Sequence, residues 1–168
     1  MTPHPPLDAL LTQAAQCHQT GEHEQALALY QQALALDDQN PAIHLALAAL
    51  YAQLQQPHTA LTHYHQALHL APEWPEAHYQ TGLFFLKSHH FHYASTQFHN
   101  VLALQPSHFK ALFHAGVCAL QRDQLQEAQT LFEAVLKQQP EDIDALVNLG
   151  ALALKQDQGQ RAIDYFTK

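Results

Sequence analysis

Residues 75–108 read PEAHYQTGLFFLKSHHFHYASTQFHNVLALQPSH, and this pattern of small and large residues recurs every 34 residues along the chain. Successive blocks begin, without insertion or deletion, at Leu7, Pro41, Pro75, Phe109 and Ile143. The twentieth residue of every block is alanine, at Ala26, Ala60, Ala94, Ala128 and Ala162. The twenty-fourth is aromatic, at Tyr30, Tyr64, Phe98, Phe132 and Phe166. A fixed period with the same residue sizes at the same positions predicts a stack of similar units rather than one globule.

Each block has the pattern of two helices joined by a short turn. Pro75 stands where a helix can begin, because its missing N–H would be unpaired there in any case. Apolar residues spaced by three and four predict helices over 75–88 and 92–104. Gly82 and Ala94 are small enough to let the two helices approach closely where they cross. The sequence therefore predicts a series of packed helix pairs.

Further positions of the block identify a family. The eighth residue is small, at Ala14, Ala48, Gly82, Gly116 and Gly150, and the thirty-second is proline at Pro72, Pro106 and Pro140. This resembles the tetratricopeptide repeat, in its bacterial type, whose signature has Leu-Gly, Ala, Phe and Pro at these positions. The sequence departs at the early tryptophan position, which reads Leu10, His44, His78, Leu112 and Leu146. The resemblance implies an all-α, right-handed superhelical solenoid of antiparallel helix pairs.

The resemblance also divides the chain. It places a repeat domain over 7–168, with repeats at 7–40, 41–74, 75–108, 109–142 and an incomplete 143–168. Residues 1–6 contain three prolines and are predicted to form an extended lead-in. Because the fifth repeat stops within its second helix, we expect the sequence to be a piece of a longer protein. The absence of a secretory signal or a long apolar run favours a cytoplasmic location.

Charge and cysteine content restrict the classes of function. Residues 1–86 contain seven acidic side chains and no basic one, and the net charge of the whole chain is −8. Such a surface repels a phosphate backbone, so we expect no nucleic-acid partner. Cys17 and Cys118 lie three blocks apart in a stacked fold, so we expect no disulfide between them and interpret both as core residues.

Histidine is unusually frequent, with fifteen residues. His65 and His69 are four residues apart, a spacing that can bind a metal from one helix face. A weak surface site is one alternative, but no nearby cysteine or carboxylate completes a ligand set. A general bias toward His and Gln is the preferred interpretation, and we predict no metal site and no cofactor. No Gly-x-Ser-x-Gly motif or phosphate-binding glycine loop occurs, so we expect no catalysis.

The first helices carry an apolar stripe. Their fifth, ninth and twelfth residues share one helix face, and we expect the fifth and ninth to be more exposed than the twelfth. The stripe is almost entirely apolar or aromatic, so we predict a concave groove that binds an apolar or amphipathic segment, centred on Tyr79, Leu83 and Phe113. The predicted groove residues are Leu11, Leu45, Ala49, Tyr79, Leu83, Phe113, Val117, Val147 and Asn148.

Two known binding modes of the family fit poorly. A clamp for acidic chaperone tails needs Lys and Asn on three consecutive first helices, and only Lys110 carries the required charge. A row of asparagines that grips a peptide backbone is represented only by Asn148.

The resemblance therefore implies a non-catalytic scaffold for a protein or peptide. The alternative is the N-terminal substrate-recruiting arm of a larger methyltransferase or glycosyltransferase. The uncapped fifth repeat also predicts end-to-end self-association.

Overall fold

The computed structural model describes residues 6–168, which form ten α-helices and no β-strand. The helices are α1 Leu7–Thr20, α2 His23–Leu36, α3 Pro41–Gln53, α4 Pro57–Leu70, α5 Pro75–Lys87, α6 Phe91–Leu104, α7 Phe109–Gln121, α8 Leu125–Gln138, α9 Ile143–Lys155 and α10 Gly159–Phe166. The predicted all-α class is confirmed, and a first helix begins at each predicted block start. Residues 1–5 of the predicted lead-in lie outside the described residues, and Pro6 has extended backbone just before α1.

The chain divides into two compact units, Met1–Ala77 and His78–Lys168, with the boundary inside α5. The first unit contains α1 to α4. Within it, α1 packs on α2, α2 on α3, and α3 on α4. Its core cluster consists of Leu10, Ala14, Ala26, Tyr30, Ala33, Ile43, Leu47 and Leu50. The alanine at the twentieth position of each block is fully buried in both blocks of this unit, as close packing of helix pairs requires.

The second unit contains most of α5 and all of α6 to α10. Here α7 packs on α6 and α8, and α9 packs on α8 and α10. One core cluster runs through these helices, and its largest fully buried side chains are Phe98 and Phe132, the aromatic residues of the twenty-fourth position. Cys118 lies in the same cluster, which agrees with its predicted role as a core residue.

The small eighth residue and the aromatic twenty-fourth residue are in direct contact in this unit. A Cβ atom added to Gly82 would lie 2.7 Å from a ring carbon of Phe98, and one added to Gly116 would lie 2.9 Å from a ring carbon of Phe132. Both distances are shorter than ordinary carbon–carbon contacts. Glycine is therefore required where it is, because the ring of the second helix lies directly on the backbone of the first.

The turn inside each block has a left-handed residue at its fifteenth position. Gly21 occupies it in the first block with φ of 83°, and side-chain-bearing residues occupy it in the others with φ of 57° to 58°, at Gln55, His89, Asp123 and Asp157. A left-handed residue at the end of a helix satisfies its last carbonyls and reverses the chain. Glycine adopts this conformation without strain, whereas the other four blocks bear a steric cost.

Three first helices are capped by the residue that precedes them. The side chains of Asn40, His108 and Asp142 accept hydrogen bonds from backbone N–H groups in the first turns of α3, α7 and α9. The distance from Asp142 Oδ1 to the Ala145 nitrogen is 2.8 Å. These caps stabilise the starts of α3, α7 and α9, since they satisfy N–H groups that have no partner within the helix.

Candidate functional site

The residues of the predicted groove in the first unit are mostly covered. Leu11 on α1 and Ala49 on α3 are half-buried, whereas Leu45 is only 9% exposed. Leu11 also packs against the core cluster of the unit. Little apolar surface on these two helices is therefore available to a partner.

The same stripe in the second unit is more accessible, and its exposure depends on the helix. Tyr79 and Leu83 on α5 and Phe113 and Val117 on α7 are half-buried and pack on the core, whereas Val147 on α9 is 50% exposed. The expected difference between the fifth, ninth and twelfth positions is not present. All three positions are half-buried on α5 and α7, and all three are exposed on α9.

Four half-buried rings meet where α5 and α7 adjoin. The ring of Tyr79 lies 5.1 Å from that of His108 and 5.9 Å from that of His114, measured between centroids. The ring of Phe113 lies 5.6 Å from that of His114. We call this group of Tyr79, His108, Phe113 and His114 the aromatic ledge. Such distances are typical of attractive contacts between aromatic rings.

Buried phenylalanines fix the ledge from below. Phe98 stacks on His114 with centroids 5.3 Å apart, and Phe132 meets the edge of Phe113 at 5.6 Å. The ring of His108 is held differently, because its Nδ1 accepts the backbone N–H of Ala111 at 3.1 Å. Contacts within the chain therefore hold the rings of the ledge in place without a partner.

The His114 ring of the ledge is uncharged at neutral pH. Burial lowers the pKa of His114 below its usual value, and the neighbouring Lys110 and His108 lower it further. The imidazole that stacks on Phe98 is therefore neutral near pH 7. Lys110 is exposed and lies one helical turn before His114 on α7, so a single ammonium group borders the ledge.

Sequence reasoning named Tyr79 and Phe113 but missed the two histidines. His114 follows Phe113 and occupies the sixth position of its block, the same position as Asn148 in the next block. From the sequence, that position was related to the asparagine row and to the clamp for acidic tails, but not to a group of aromatic rings. Asn148 is half-buried, and its Nδ2 donates to the carbonyl oxygen of Asp144 at 2.7 Å on its own helix. Its amide group is thus partly occupied by a local hydrogen bond.

A serine, a histidine and a glutamate lie close together but are not arranged as a nucleophilic triad. His99 Nε2 lies 3.3 Å from Glu127 Oε1, but His99 Nδ1 lies 2.8 Å from the backbone carbonyl oxygen of Ser95, to which it donates. The Ser95 hydroxyl accepts from Arg122 at 3.2 Å and is buried. A nucleophile needs a base that accepts its proton and access to a substrate. The group instead connects α6 with the α7–α8 region.

Other candidate chemistry is limited. Among residues 6–168, no three His, Cys, Asp or Glu side chains are close enough together to hold a metal ion. Both cysteines are unpaired thiols, and burial raises the pKa of Cys118 to about 11, against a smaller opposing effect of Arg122. That thiol is therefore unreactive at neutral pH. None of the described helices combines the length and hydropathy needed to cross a bilayer.

Comparison with known families agrees with the helix-pair repeat. A model described as a TPR repeat matches residues 15–55, and one described as a tetratricopeptide repeat matches residues 41–84. The middle TPR-like domain of cilia and flagella-associated protein 70 matches residues 64–145. This chain is a tetratricopeptide-repeat protein. A search of curated proteins found no match to this chain.

Several solved structures have the fold of this tetratricopeptide-repeat protein. Pseudomonas aeruginosa PilF is 21% identical with a TM-score of 0.83, over 96% of this chain and 73% of that chain. MamA from Desulfovibrio magneticus RS-1, from residue 41 to its end, is 22% identical with a TM-score of 0.87, over 96% and 91%. YrrB, described as a TPR protein with an unusual peptide-binding site, is 24% identical with a TM-score of 0.80, over 93% and 80%. At these identities the likeness establishes the fold alone.

Proposed function

We propose that this tetratricopeptide-repeat protein is a non-catalytic interaction module that binds an apolar or amphipathic protein segment on the aromatic ledge. The observation that carries the proposal is the group of four half-buried rings on α5, α7 and the turn before α7. Leu83 and Val117, one turn further along the same helices, extend the apolar surface. The peptide-binding site named in the description of YrrB gives independent support for this type of function in the fold.

The physical properties of the ledge favour an apolar ligand. Rings that are already fixed by packing lose little conformational entropy when a partner binds. Removing their exposed faces from water contributes about 25 cal/mol per Å² of apolar surface. Lys110 is the one charged side chain that borders His114 on α7, so the affinity should depend weakly on salt. An acidic ligand that is released by salt would contradict this description.

The proposed contact surface in the first unit is smaller. Leu11 and Ala49 are half-buried and remain in the proposal, whereas the buried Leu45 offers almost no surface. On α9, the proposal includes Val147, which is exposed, and the half-buried Asn148. We expect substitutions on α5 and α7 to weaken binding more than substitutions of Leu11 or Ala49.

A peptide selection tests the ledge. Peptides of about twelve residues, long enough for three helical turns, would be selected on the immobilised chain and their affinities measured by fluorescence anisotropy. Combined Tyr79→Ala and Phe113→Ala substitution should weaken selected peptides at least about tenfold, since aromatic anchors commonly contribute more than 1.4 kcal/mol. Circular dichroism would establish that the variant keeps its helices.

Tyr93→Ala is the matched control, because Tyr93 is an exposed aromatic residue on α6 that stacks on Phe85 and is not part of the ledge. It should leave the affinity unchanged. Equal losses in both variants, or no loss in the ledge variant, would refute the ledge as the binding surface. Selection of strongly acidic peptides whose affinity collapses in high salt would refute the proposed ligand class.

A second candidate function is self-association through α9 and α10. Large apolar side chains are exposed on these helices, at Ile143, Val147, Leu154, Ile163 and Phe166. Phe166 is 51% exposed, whereas its counterpart Phe132 in the preceding block is fully buried. An exposed apolar surface of this kind is typical of an interaction site. We propose that two copies associate through this face.

The polar face of α1 argues against a head-to-tail arrangement. The seventh and tenth residues of the first helices are buried in α3, α7 and α9, at Leu47, Leu50, Ala115, Cys118, Leu149 and Leu152. On α1 the same positions are the exposed Gln13 and Gln16. Docking α1 of one copy on α10 of another would bury both amides. A two-fold contact between identical faces avoids this cost.

Analytical ultracentrifugation tests the self-association. The wild-type chain should show a monomer–dimer equilibrium, and Ile163→Asp should shift it to monomer because the aspartate would be buried in the contact. Asp164→Asn, the next residue on α10, is a control that should leave the equilibrium unchanged. A wild-type chain that stays monomeric at millimolar concentration would refute the proposal without affecting the ledge.

A further inference from the structure

Two imidazole rings face each other between α3 and α4 in the first unit. His44 Nδ1 and His63 Nδ1 are 3.0 Å apart, which is hydrogen-bond distance. His44 is only 8% exposed, and its other ring nitrogen, Nε2, lies 3.1 Å from the backbone carbonyl oxygen of Asp38. The pair therefore connects both helices of the second block and the turn that precedes them.

These contacts determine where the protons lie. A carbonyl oxygen only accepts, so Nε2 of His44 carries a hydrogen and donates it to Asp38. In its neutral form His44 then has a bare Nδ1, which accepts the Nδ1 hydrogen of His63. In the neutral pair both facing nitrogens and Nε2 of His44 are thus hydrogen-bonded, with a different tautomer on each ring.

The pair can hold one additional proton but not two. If His44 takes the first proton on Nδ1, His63 can move its own hydrogen to Nε2 and accept from His44. A second proton leaves hydrogens on both facing nitrogens. The two N–H groups then point at each other at 3.0 Å, and two like charges meet. The second proton therefore breaks the contact between the rings.

The groups that contact the two rings, the Tyr51 side chain and the backbone carbonyl of Asp38, carry no charge. Tyr51 of α3 stacks on His63 with centroids 5.5 Å apart and planes 8° apart, and its hydroxyl is 3.4 Å from the Gln31 side chain of α2. The Asp38 carboxylate accepts from the Gln39 side chain at 3.2 Å. Burial lowers the pKa of His63, and His44 lowers it further. Within residues 6–77, no ion pair to either ring is present.

The equivalent positions in the third and fourth blocks do not hold two titratable rings. The fourth and twenty-third residues of the third block are His78 and Gln97, whose Nδ1 and Oε1 atoms are 2.8 Å apart. An amide oxygen accepts from that ring nitrogen whether the ring is neutral or charged. In the fourth block the two positions are the buried Leu112 and Leu131. A pair of titratable rings is therefore a particular feature of the second block.

We propose that the His44–His63 pair is a pH-sensitive latch between α3 and α4, closed while the pair holds at most one extra proton and opened by the second. Opening would loosen the second block and increase the exposure of the α3 stripe, which includes Leu45. The latch would act below about pH 6.5, the ordinary pKa of histidine, because burial and the neighbouring His44 lower the pKa of His63. It does not depend on what the aromatic ledge binds.

Two variants reproduce the pairs of the neighbouring blocks and serve as matched controls. His63→Gln copies the His78–Gln97 pair, and the double variant His44→Leu with His63→Leu copies the Leu112–Leu131 pair. Hydrogen exchange of α3 and α4 amides, corrected for intrinsic rates, would be compared at about pH 7 and about pH 5. The amides of α7 and α8 are the internal reference.

We expect the wild-type opening constant of α3 and α4 to rise by up to about tenfold for each pH unit, because one proton binds more readily to the open state. Both variants should lose this dependence, while α7 and α8 respond equally in all three proteins. The same pH response in wild type and both variants would overturn the proposal. So would nitrogen NMR of the wild type showing His44 and His63 each titrating independently near their usual pKa, a readout that does not depend on the folding of any variant.

Discussion

Gly116→Ala tests the contact between the eighth and twenty-fourth positions directly. The added Cβ would lie 2.9, 3.0 and 3.1 Å from three ring carbons of Phe132, which is fully buried. Ordinary carbon–carbon contacts are about 3.5–4.0 Å, so the ring must move by about half an ångström or more in a close-packed core. Overpacking of this kind costs about 1–3 kcal/mol. Alanine regains about 1 kcal/mol through its higher helix propensity.

The expected net effect is a loss of about 1 kcal/mol in the free energy of unfolding, the difference between these two contributions. Urea denaturation followed by circular dichroism would measure it. Gly159→Ala is the matched control, because nothing lies within 4 Å of a Cβ added at the start of α10. That substitution should be neutral or stabilise the protein by up to about 1 kcal/mol.

The test is whether the two substitutions change the free energy of unfolding in opposite directions. If Gly116→Ala were as stabilising as Gly159→Ala, the ring would not lie on the α7 backbone and the packing described for these blocks would be refuted. A double variant locates the effect. In a Phe132→Leu background the cost of Gly116→Ala should shrink by about 0.5–3 kcal/mol, because contacting residues couple by such amounts.

Three further predictions follow from local geometry. Asp142→Ala removes the side-chain acceptor at the start of α9 and should lower the unfolding free energy by about 1 kcal/mol, whereas Asp142→Asn should retain most of it in the same urea assay. Gln55→Gly should raise thermal stability, because glycine relieves a left-handed backbone strain of about 1–2 kcal/mol. The greater conformational entropy of glycine in the unfolded chain offsets part of this gain. His114 has a pKa lowered from 6.5, so the unfolded chain takes up its proton first as the pH falls. Stability should therefore decrease from pH 6.5 downward to the lowered pKa, and His114→Phe should reduce this dependence in urea titrations.

The helix pattern was predictable because it depends on local chemistry. Proline at a helix start and residues spaced by three and four act within a few positions of the chain, and α5 and α6 agree with the prediction to within one residue at each end. The glycine at position 82 was also correctly assigned to a close approach. Its partner, the Phe98 ring, lies sixteen residues away. The sequence predicted a close approach to the helix of Ala94 but not the contact with this ring.

Exposure along the stripe was not predictable, because it depends on the neighbouring helices rather than on the stripe itself. Phe113 and Val147 occupy the same position of adjacent blocks, yet one is half-buried and the other is half-exposed. The imidazole contacts escaped prediction for a related reason. His44 and His63 are nineteen residues apart. With fifteen histidines in the chain, the sequence did not indicate which two would be in contact.

The left-handed turn position offers practical places for spectroscopic labels. Its five residues are all exposed, and four of them already carry side chains in that backbone conformation. A cysteine at Gln55 or Asp157 would therefore present a spectroscopic label to water with little disturbance of the core, once Cys17 and Cys118 are replaced by serine and alanine. Labels at Gln55 and Asp157 fall in different units, whereas labels at His89 and Asp157 fall in one. The width of the first distance distribution relative to the second would report whether the two units keep a fixed arrangement.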